Sequence, residues 1–512
     1  MSMVKKDILF LLIKSLSKSE KRQFKLFAGR LGGNSEKNFM ALFSVLDKLE
    51  DFDENIILQK TNIKKQQLSN AKAHLYKQIL ISLRLNPAHH NIKNQIREQL
   101  DFATILYYKG LHKQSLKILD KAKSLALQNF ENNLAYEIVE LEKVIESQYI
   151  TRSLSTRADD LTSQSELLSK KTVLLSKLSN LSLQLYSLML KKGYVRSDED
   201  YENIKQYFDS NLPQYRLKDL GFKEKLFLYK AYLWYNFITQ QFVSCYRYSQ
   251  KWVDLFHKHP QMKQNNPVFY LKGINYLLES LFLIQHSIKF KKILISFKKE
   301  IDKDQLLLND NTKSLASLIY YQNRINLFFL EGQFTEGTKF IPEVLQEIEM
   351  YKKRFDEHHI MVFYYKIASM YFGADDYESC IFYLGKIIDN KELKMREDLL
   401  CFSRILNLVA HYEAGFDEDL DYLIKSTFKF LIKMDDLHIV QRKIIAFLKG
   451  LGSIYPHQIK KAFTELYNEL KPYENHPYEK RSFMYLDIIS WLESKINNEP
   501  VEIIVQRKLI KK

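Results

Sequence analysis

The chain has 512 residues with only 14 Gly and 9 Pro, too many for one compact core and too little turn chemistry for a protein of many strands, so helix is expected throughout. Its net charge of +16 admits an anionic partner, but lysine far outnumbers arginine and Lys, Asn, Ile, Phe and Tyr are abundant together, a genome-wide habit rather than a phosphate-reading signature. The three cysteines, Cys245, Cys380 and Cys401, are widely spaced, which argues against a disulfide framework and fits a reducing, cytoplasmic setting.

Lys5 and Lys6 precede a short apolar run, Ile8 to Ile13, which Lys14 ends without a small-residue cleavage site. The run reads as a first amphipathic helix rather than a signal peptide, and no stretch approaches the ~18 to 20 apolar residues of a membrane span. Ser17-Lys18-Ser19-Glu20 has the form of a capping box, which predicts a helix from there to Gly32-Gly33. A second helix is expected after Asn34-Ser35, with Phe39, Leu42, Phe43, Leu46 and Leu49 on one face. Helices over about 53–60 and 64–85, closed by Asn86-Pro87, complete a basic helical domain over residues 1–95.

Within that domain, Leu58 to Asn70 resembles a DNA-binding helix-turn-helix, with candidate limits 54–85. It offers a short helix, a turn at Asn62 where positive φ is tolerated, a buried Ile63 and a second helix. Leu68, Ala71 and Leu75 face the core in this reading. Lys64, Lys65, Gln66, Ser69 and Asn70 face out, as does Ala73, and such side chains reach phosphates and base edges in a major groove. The same pattern also fits an ordinary packed hairpin, whose apolar stripe continues through Ile79, Leu80 and Leu83. Residues 1–90 hold 16 Lys+Arg against 8 Asp+Glu. Lys18, Arg22 and Lys25 form a basic strip opposite Phe24 and Phe27, either a phosphate-binding surface or a solvated helix face.

From Ile96 the pattern becomes helical hairpins. Residues 96–220 read as irregular ones: a helix to about residue 149, a Ser/Thr-rich passage over 151–165, a long Leu/Ser helix over 166–192, and an acidic loop or helix start at Ser197-Asp198-Glu199-Asp200. Residues 221–475 carry repeats of about 40–47 residues. Their breaks are Gln240-Gln241-Phe242, then, beyond a hairpin over 266–297, Gly332-Gln333-Phe334, Asp375-Asp376-Tyr377 and Gly415-Phe416-Asp417, the last three spaced by 43 and 40 residues. Such a period is what stacked hairpins leave in a sequence. A capping helix is expected over 476–499, after His476-Pro477, and 500–512 is a basic tail, either disordered or docked.

Several positions resemble the tetratricopeptide family. Ala103, Gly110, Ser115 and Ala122 hold its small places, with His112 where the family has an aromatic residue. Ala368, Tyr371, Tyr377 and Cys380 keep its small, aromatic, aromatic, small order, and Cys245 and Gly337 fill the slot of Cys380. The family's Trp, its Leu-Gly pair and its 34-residue period are not kept. The resemblance implies an all-α fold, a right-handed α-solenoid of tetratricopeptide-like hairpins in which the first helix of each hairpin lines a concave groove. Carried over position by position, the groove candidates are Gln322, Asn326 and Phe329, then Tyr365, Ser369 and Phe372, then Tyr412. Amides flanked by aromatic rings suit a peptide backbone and its side chains. Aromatic residues at this spacing are equally what a helical core requires.

Signatures of catalysis are missing from the sequence. His89-His90, His358-His359 and His257-Lys258-His259 lack the i, i+4 spacing of a helical zinc site, and neither a phosphate-binding glycine loop nor a Gly-x-Ser-x-Gly elbow occurs. No metal or cofactor is expected. The expected function is a non-catalytic cytoplasmic scaffold or adaptor that holds a protein or peptide in the groove. Two alternatives use residues 1–95: a nucleic-acid-binding regulator, resembling bacterial proteins that join a helix-turn-helix to tetratricopeptide repeats, and an RNA- or ribosome-associated factor.

Overall fold

The computed structural model describes residues 7–510 except 31–33, 87–90, 149–155, 304–305, 307–308, 353, 391–396, 434–438, 452–454 and 480–486. Among the described residues every regular element is helical, with 25 α-helices, three 3₁₀ segments and no strand. The chain divides into two compact units, Met1–Ser165 and Glu166–Lys512.

The first unit opens with α1 (Ile8–Ser15), α2 (Lys18–Ala28), α3 (Asn34–Lys48), α4 (Glu54–Lys60) and α5 (Lys65–Arg84). Their apolar stripes close one core, which includes Ile13, Phe24, Leu42, Phe43, Ile57, Leu75 and Ile79. The capping box forms as read: the Glu20 N–H donates to Ser17 Oγ at 3.2 Å, and the Ser17 N–H donates to Glu20 Oε2 at 2.6 Å. Helix α2 stops at Ala28 with Gly29 as its cap, short of Gly32-Gly33, which lie outside the described residues, as do Lys5, Lys6, Pro87 and His89-His90. One expectation is corrected here. Asn62 does not take positive φ; the turn between α4 and α5 is made by an extended Thr61, whose hydroxyl donates to the Ile57 carbonyl at 2.8 Å.

Next come α6 (Ile92–Tyr108), α7 (His112–Gln128) and α8 (Asn132–Gln148), packed successively. Small side chains permit the close approach: Ser115 Oγ, fully buried, donates to the Ala103 carbonyl at 2.8 Å. Glu142 is also fully buried, and it is held by Lys123 Nζ at 2.5 Å and Arg157 Nη2 at 3.2 Å. Arg157 opens α9 (Arg157–Lys192), which starts nine residues before the expected 166. Two acidic residues in its first turn, Asp159 and Asp160, favour that start by lying against the positive end of the helix. Thr151 to Ser155 lie outside the described residues. The chain passes into the second unit within α9.

In the second unit the acidic run starts a helix rather than a loop: Ser197 Oγ accepts the Asp200 N–H at 3.1 Å, opening α10 (Asp198–Asn211). Five hairpins follow: α11 (Phe222–Ile238) with α12 (Phe242–Lys258); beyond the short α13 (Gln261–Asn265), α14 (Pro267–Leu283) with α15 (Ser287–Asp302); α16 (Asp310–Glu331) with α17 (Phe334–Tyr351); α18 (Glu357–Gly373) with α19 (Tyr377–Ile388); and α20 (Glu397–Ala414) with α21 (Asp417–Lys433). Each turns on one residue in the left-handed region: Gln240 (φ 58°), Gln285 (φ 54°), Gly332 (φ 60°), Asp375 (φ 60°) and Gly415 (φ 72°). The next residue's N–H then reaches back five positions to a carbonyl of the first helix, at 2.8 to 3.0 Å in all five, which satisfies an otherwise orphaned end. These turns recur at 45, 47, 43 and 40 residues. Two of the five lack the Gly or Asp that marked the others in the sequence.

The hairpins form two layers. First helices touch one another, α14 with α16, α16 with α18 and α18 with α20, while second helices pack against the first helices before and after them. This successive packing is consistent with a helical repeat. The small slot has a visible cause at Gly337, where a Cβ would stand 2.3 Å from Met370 Sδ on α18.

The array is followed by α22 (Ile439–Leu451), α23 (Ile459–Leu470), α24 (Ile488–Asn497) and α25 (Val501–Ile510). Of the expected capping helix over 476–499, residues 488–497 form α24 while 476–479 are coil and turn, and the buried Trp491 of α24 donates to Glu413 at 2.6 Å. The expected tail is α25, and it is docked. Glu502 Oε2 accepts from the Thr335 N–H at 3.2 Å and from Thr335 Oγ1 at 2.6 Å, while Gln506 Nε2 donates to the Gly332 carbonyl at 2.9 Å. One short helix thus satisfies the open end of α16 and the open start of α17. Among the described residues no helix is long and apolar enough to cross a membrane.

Candidate functional site

The layer of first helices carries a line of polar side chains that an ordinary helical core does not need. Asn323 on α16 donates through Nδ2 to Asn275 Oδ1 on α14 at 3.1 Å and to the Ile319 carbonyl at 2.8 Å. Asn326 donates to Asn323 Oδ1 at 3.3 Å, and Lys366 Nζ on α18 donates to Asn326 Oδ1. The line therefore runs over three consecutive hairpins. Asn323 and Asn326 are 2% and 6% exposed, and buried amides persist where they find partners, as these do in one another.

Lys366 is the unusual member. It is half-buried, its ammonium stands 5.8 Å from the Phe282 ring, and no described carboxylate lies within ion-pair distance. Burial lowers its pKa to about 8, against a smaller opposing pull from Glu279. Of its three N–H groups only the one on Asn326 has a described acceptor. The line ends, therefore, in a cation whose contacts are neutral and whose remaining donors have no described acceptor.

Towards the N-terminal side of this layer, α11 and α14 meet through aromatic pairs. Phe227 and Phe269 lie 5.8 Å apart edge to face, and Trp234 and Tyr276 lie 5.4 Å apart. Between these pairs along their helices stand Lys230 and Lys272.

The residues expected to line a groove fall differently. Gln322, Phe329 and Ser369 are half-buried; Ser369 spends its hydroxyl on the Tyr365 carbonyl at 2.9 Å, and the Phe329 ring lies 6.0 Å from Phe334. Tyr412 is half-buried with its ring 6.3 Å from Phe463 of α23. Tyr365 and Phe372 are 5% and 4% exposed, inside the core cluster, so neither offers a ring face to a peptide. The register between neighbouring first helices also varies. The expectation aligned residues at equal distances from each break, yet Asn326, six residues before Gly332, meets Lys366, nine residues before Asp375. Trp234 and Tyr276 are offset in the same way from Gln240 and Gln285. No signal in the sequence supplies that offset, so Lys366 does not stand out there.

In the first unit the N-cap Lys64 and, on α5, Lys65, Gln66, Ser69 and Asn70 are all exposed, while Leu68 and Leu75 on the other side of the helix are 4% and 0% exposed. Lys18, Arg22 and Lys25 are exposed on α2, with the Lys25 ammonium 6.0 Å from the Phe43 ring. His359 is spent locally, its ring nitrogen 2.6 Å from the Asp356 carboxylate that caps α18. Among the described residues no three His, Cys, Asp or Glu side chains gather as metal ligands would. No family model, curated protein or solved structure matches the chain.

Proposed function

We propose that this protein is a non-catalytic scaffold, a tetratricopeptide-like solenoid that holds a segment of a partner protein or peptide along its layer of first helices. The observation that carries this reading is the line Asn275, Asn323, Asn326 and Lys366, which ends in a half-buried cation whose remaining donors have no described acceptor. An ammonium group placed this way, anchored by buried amides, suits a carbonyl of an extended backbone. The test is affinity capture from the native cell. A partner retained by the wild type and lost from Asn326→Ala combined with Lys366→Met supports the reading; a partner retained equally by both contradicts it.

The second reading assigns residues 1–95 to nucleic acid, in either a DNA-binding regulator or a factor bound to structured RNA or the ribosome. It rests on α5, which has no acidic residue in its 20 positions and, with its N-cap Lys64, exposes Lys65, Gln66, Ser69 and Asn70 together. Binding to duplex DNA or structured RNA that weakens steeply with salt and disappears in Lys64→Ala/Lys65→Ala is the expected result. Absence of binding at low salt removes this reading.

A further inference from the structure

We propose that Lys230 and Lys272 form a subsite for neighbouring acidic side chains of the bound segment, so that the scaffold selects an acidic peptide. This rests on the scaffold reading above.

The two lysines are level on adjacent helices. Phe227 and Phe269 pair one turn before them, and Trp234 and Tyr276 pair one turn after. With contacts fixed on both sides, the helix repeat of 3.6 residues leaves the two lysine stems next to each other. Lys272 is exposed and Lys230 half-buried, with the Lys230 ammonium 5.8 Å from the Phe227 ring. Neither has a carboxylate within ion-pair distance among the described residues. Burial first, and the charge of Lys272 second, lower the affinity of Lys230 for its proton, as expected for a partly desolvated cation beside a like charge. The packed rings limit how far the stems can swing apart. An incoming pair of carboxylates relieves the repulsion and gains two charge-assisted hydrogen bonds, while the rings cover the aliphatic part of acidic side chains.

A peptide fits better than a nucleic acid. Two turns along α14 from Lys272 the same stripe carries Glu279, whose charge is felt at Lys366. A continuous phosphate backbone running along the layer would meet that carboxylate. A peptide carries its charge only where its sequence places it, and can offer acidic side chains at Lys230 and Lys272 and a backbone carbonyl at Lys366.

The experiment selects peptides from a displayed random dodecapeptide library on the full chain, then measures the labelled winners by fluorescence polarisation and maps them by hydrogen exchange. The expected winners carry adjacent Asp or Glu, protect α11 and α14, and lose at least about tenfold in affinity with Lys230→Gln/Lys272→Gln, as loss of charge-paired hydrogen bonds requires. Lys230→Arg/Lys272→Arg restores most of it, and Lys292→Gln/Lys299→Gln on α15 leaves it unchanged. Winners that protect α14, α16 and α18 without acidic residues, or that bind the Gln variant equally, overturn this proposal and leave the scaffold reading standing. Winners that protect none of these helices overturn both. Tighter binding of labelled oligouridine than of any peptide, abolished by the same Gln variant, replaces the acidic peptide with a single-stranded nucleic acid.

Discussion

Two charged side chains set into helix packing, Glu142 in the first compact unit and Lys366 in the second, are treated in opposite ways. Glu142 in the first unit is fully buried and gripped by two cations, Lys123 and Arg157, drawn from α7 and α9. Lys366 in the second unit is half-buried against an amide and a phenyl ring, with no opposite charge at contact distance. A buried charge that is fully paired ties helices together. One that is left with neutral neighbours costs stability and remains open to an external anion or carbonyl. The difference separates a structural joint from a candidate binding position.

The largest effect is expected from cutting the joint. Glu142→Ala leaves Lys123 and Arg157 facing each other in a buried setting, and denaturant unfolding of the first unit is expected to lose about 3–5 kcal/mol. A loss under about 1 kcal/mol would equate Glu142 with an exposed pair and dissolve the contrast. Next is the packing that holds the first-helix layer in place. Gly337→Val drives a side chain into Met370, whose sulfur would lie 2.3 Å from the new Cβ, and overpacking of this kind costs about 1–3 kcal/mol. A thermal midpoint equal to the wild type would show that α17 and α18 pack with room to spare.

Gly332→Ala is expected to cost about 1–2 kcal/mol from left-handed strain alone. The new methyl would also press on Val505 Cγ1 at 2.9 Å, so hydrogen exchange should quicken across 501–510. Unchanged exchange there would separate the turn from the docked helix.

Lys366→Met is predicted to leave stability within about 1 kcal/mol of the wild type at pH 7, or raise it, because an unpaired charge is exchanged for a hydrophobe of similar length. Its pH dependence is more telling. The folded value of about 8 lies below the ordinary 10.5, so between these pH values the unfolded chain holds more protons at this site and stability rises with pH. Below about pH 8 the whole burial penalty stands. The Met variant should lose this rise. The smallest effect is expected for Lys65→Ala with Asn70→Ala, within about 0.5 kcal/mol, since both side chains point to solvent.

The local features were legible in the sequence because their causes are local. Ser17 and Glu20 cap α2, Phe39, Leu42, Phe43 and Leu46 bury one stripe of α3, and Gly332, Asp375 and Gly415 mark turns because their conformation excludes most side chains. Gln285 turns the same way without advertising it, since tertiary packing overrides an unfavourable preference. The relation between hairpins was not legible. Whether Asn326 meets Ser369 or Lys366 depends on how neighbouring helices slide and cross, a property of packed ridges and grooves rather than of either sequence. The choice between a disordered and a docked tail stayed open for a similar reason, because Glu502 and Gln506 have meaning only beside the open turn at Gly332 and Thr335.

On the proposed function, the first-helix layer of the second unit, and not the exposed cations of the first, receives the partner. Hydrogen exchange on the full chain, measured with and without a captured partner, tests it most directly. Slowed exchange concentrated in α14, α16 and α18, absent for Asn326→Ala/Lys366→Met, is expected. Slowed exchange confined to α2 and α5, and unaffected by those substitutions, would contradict it.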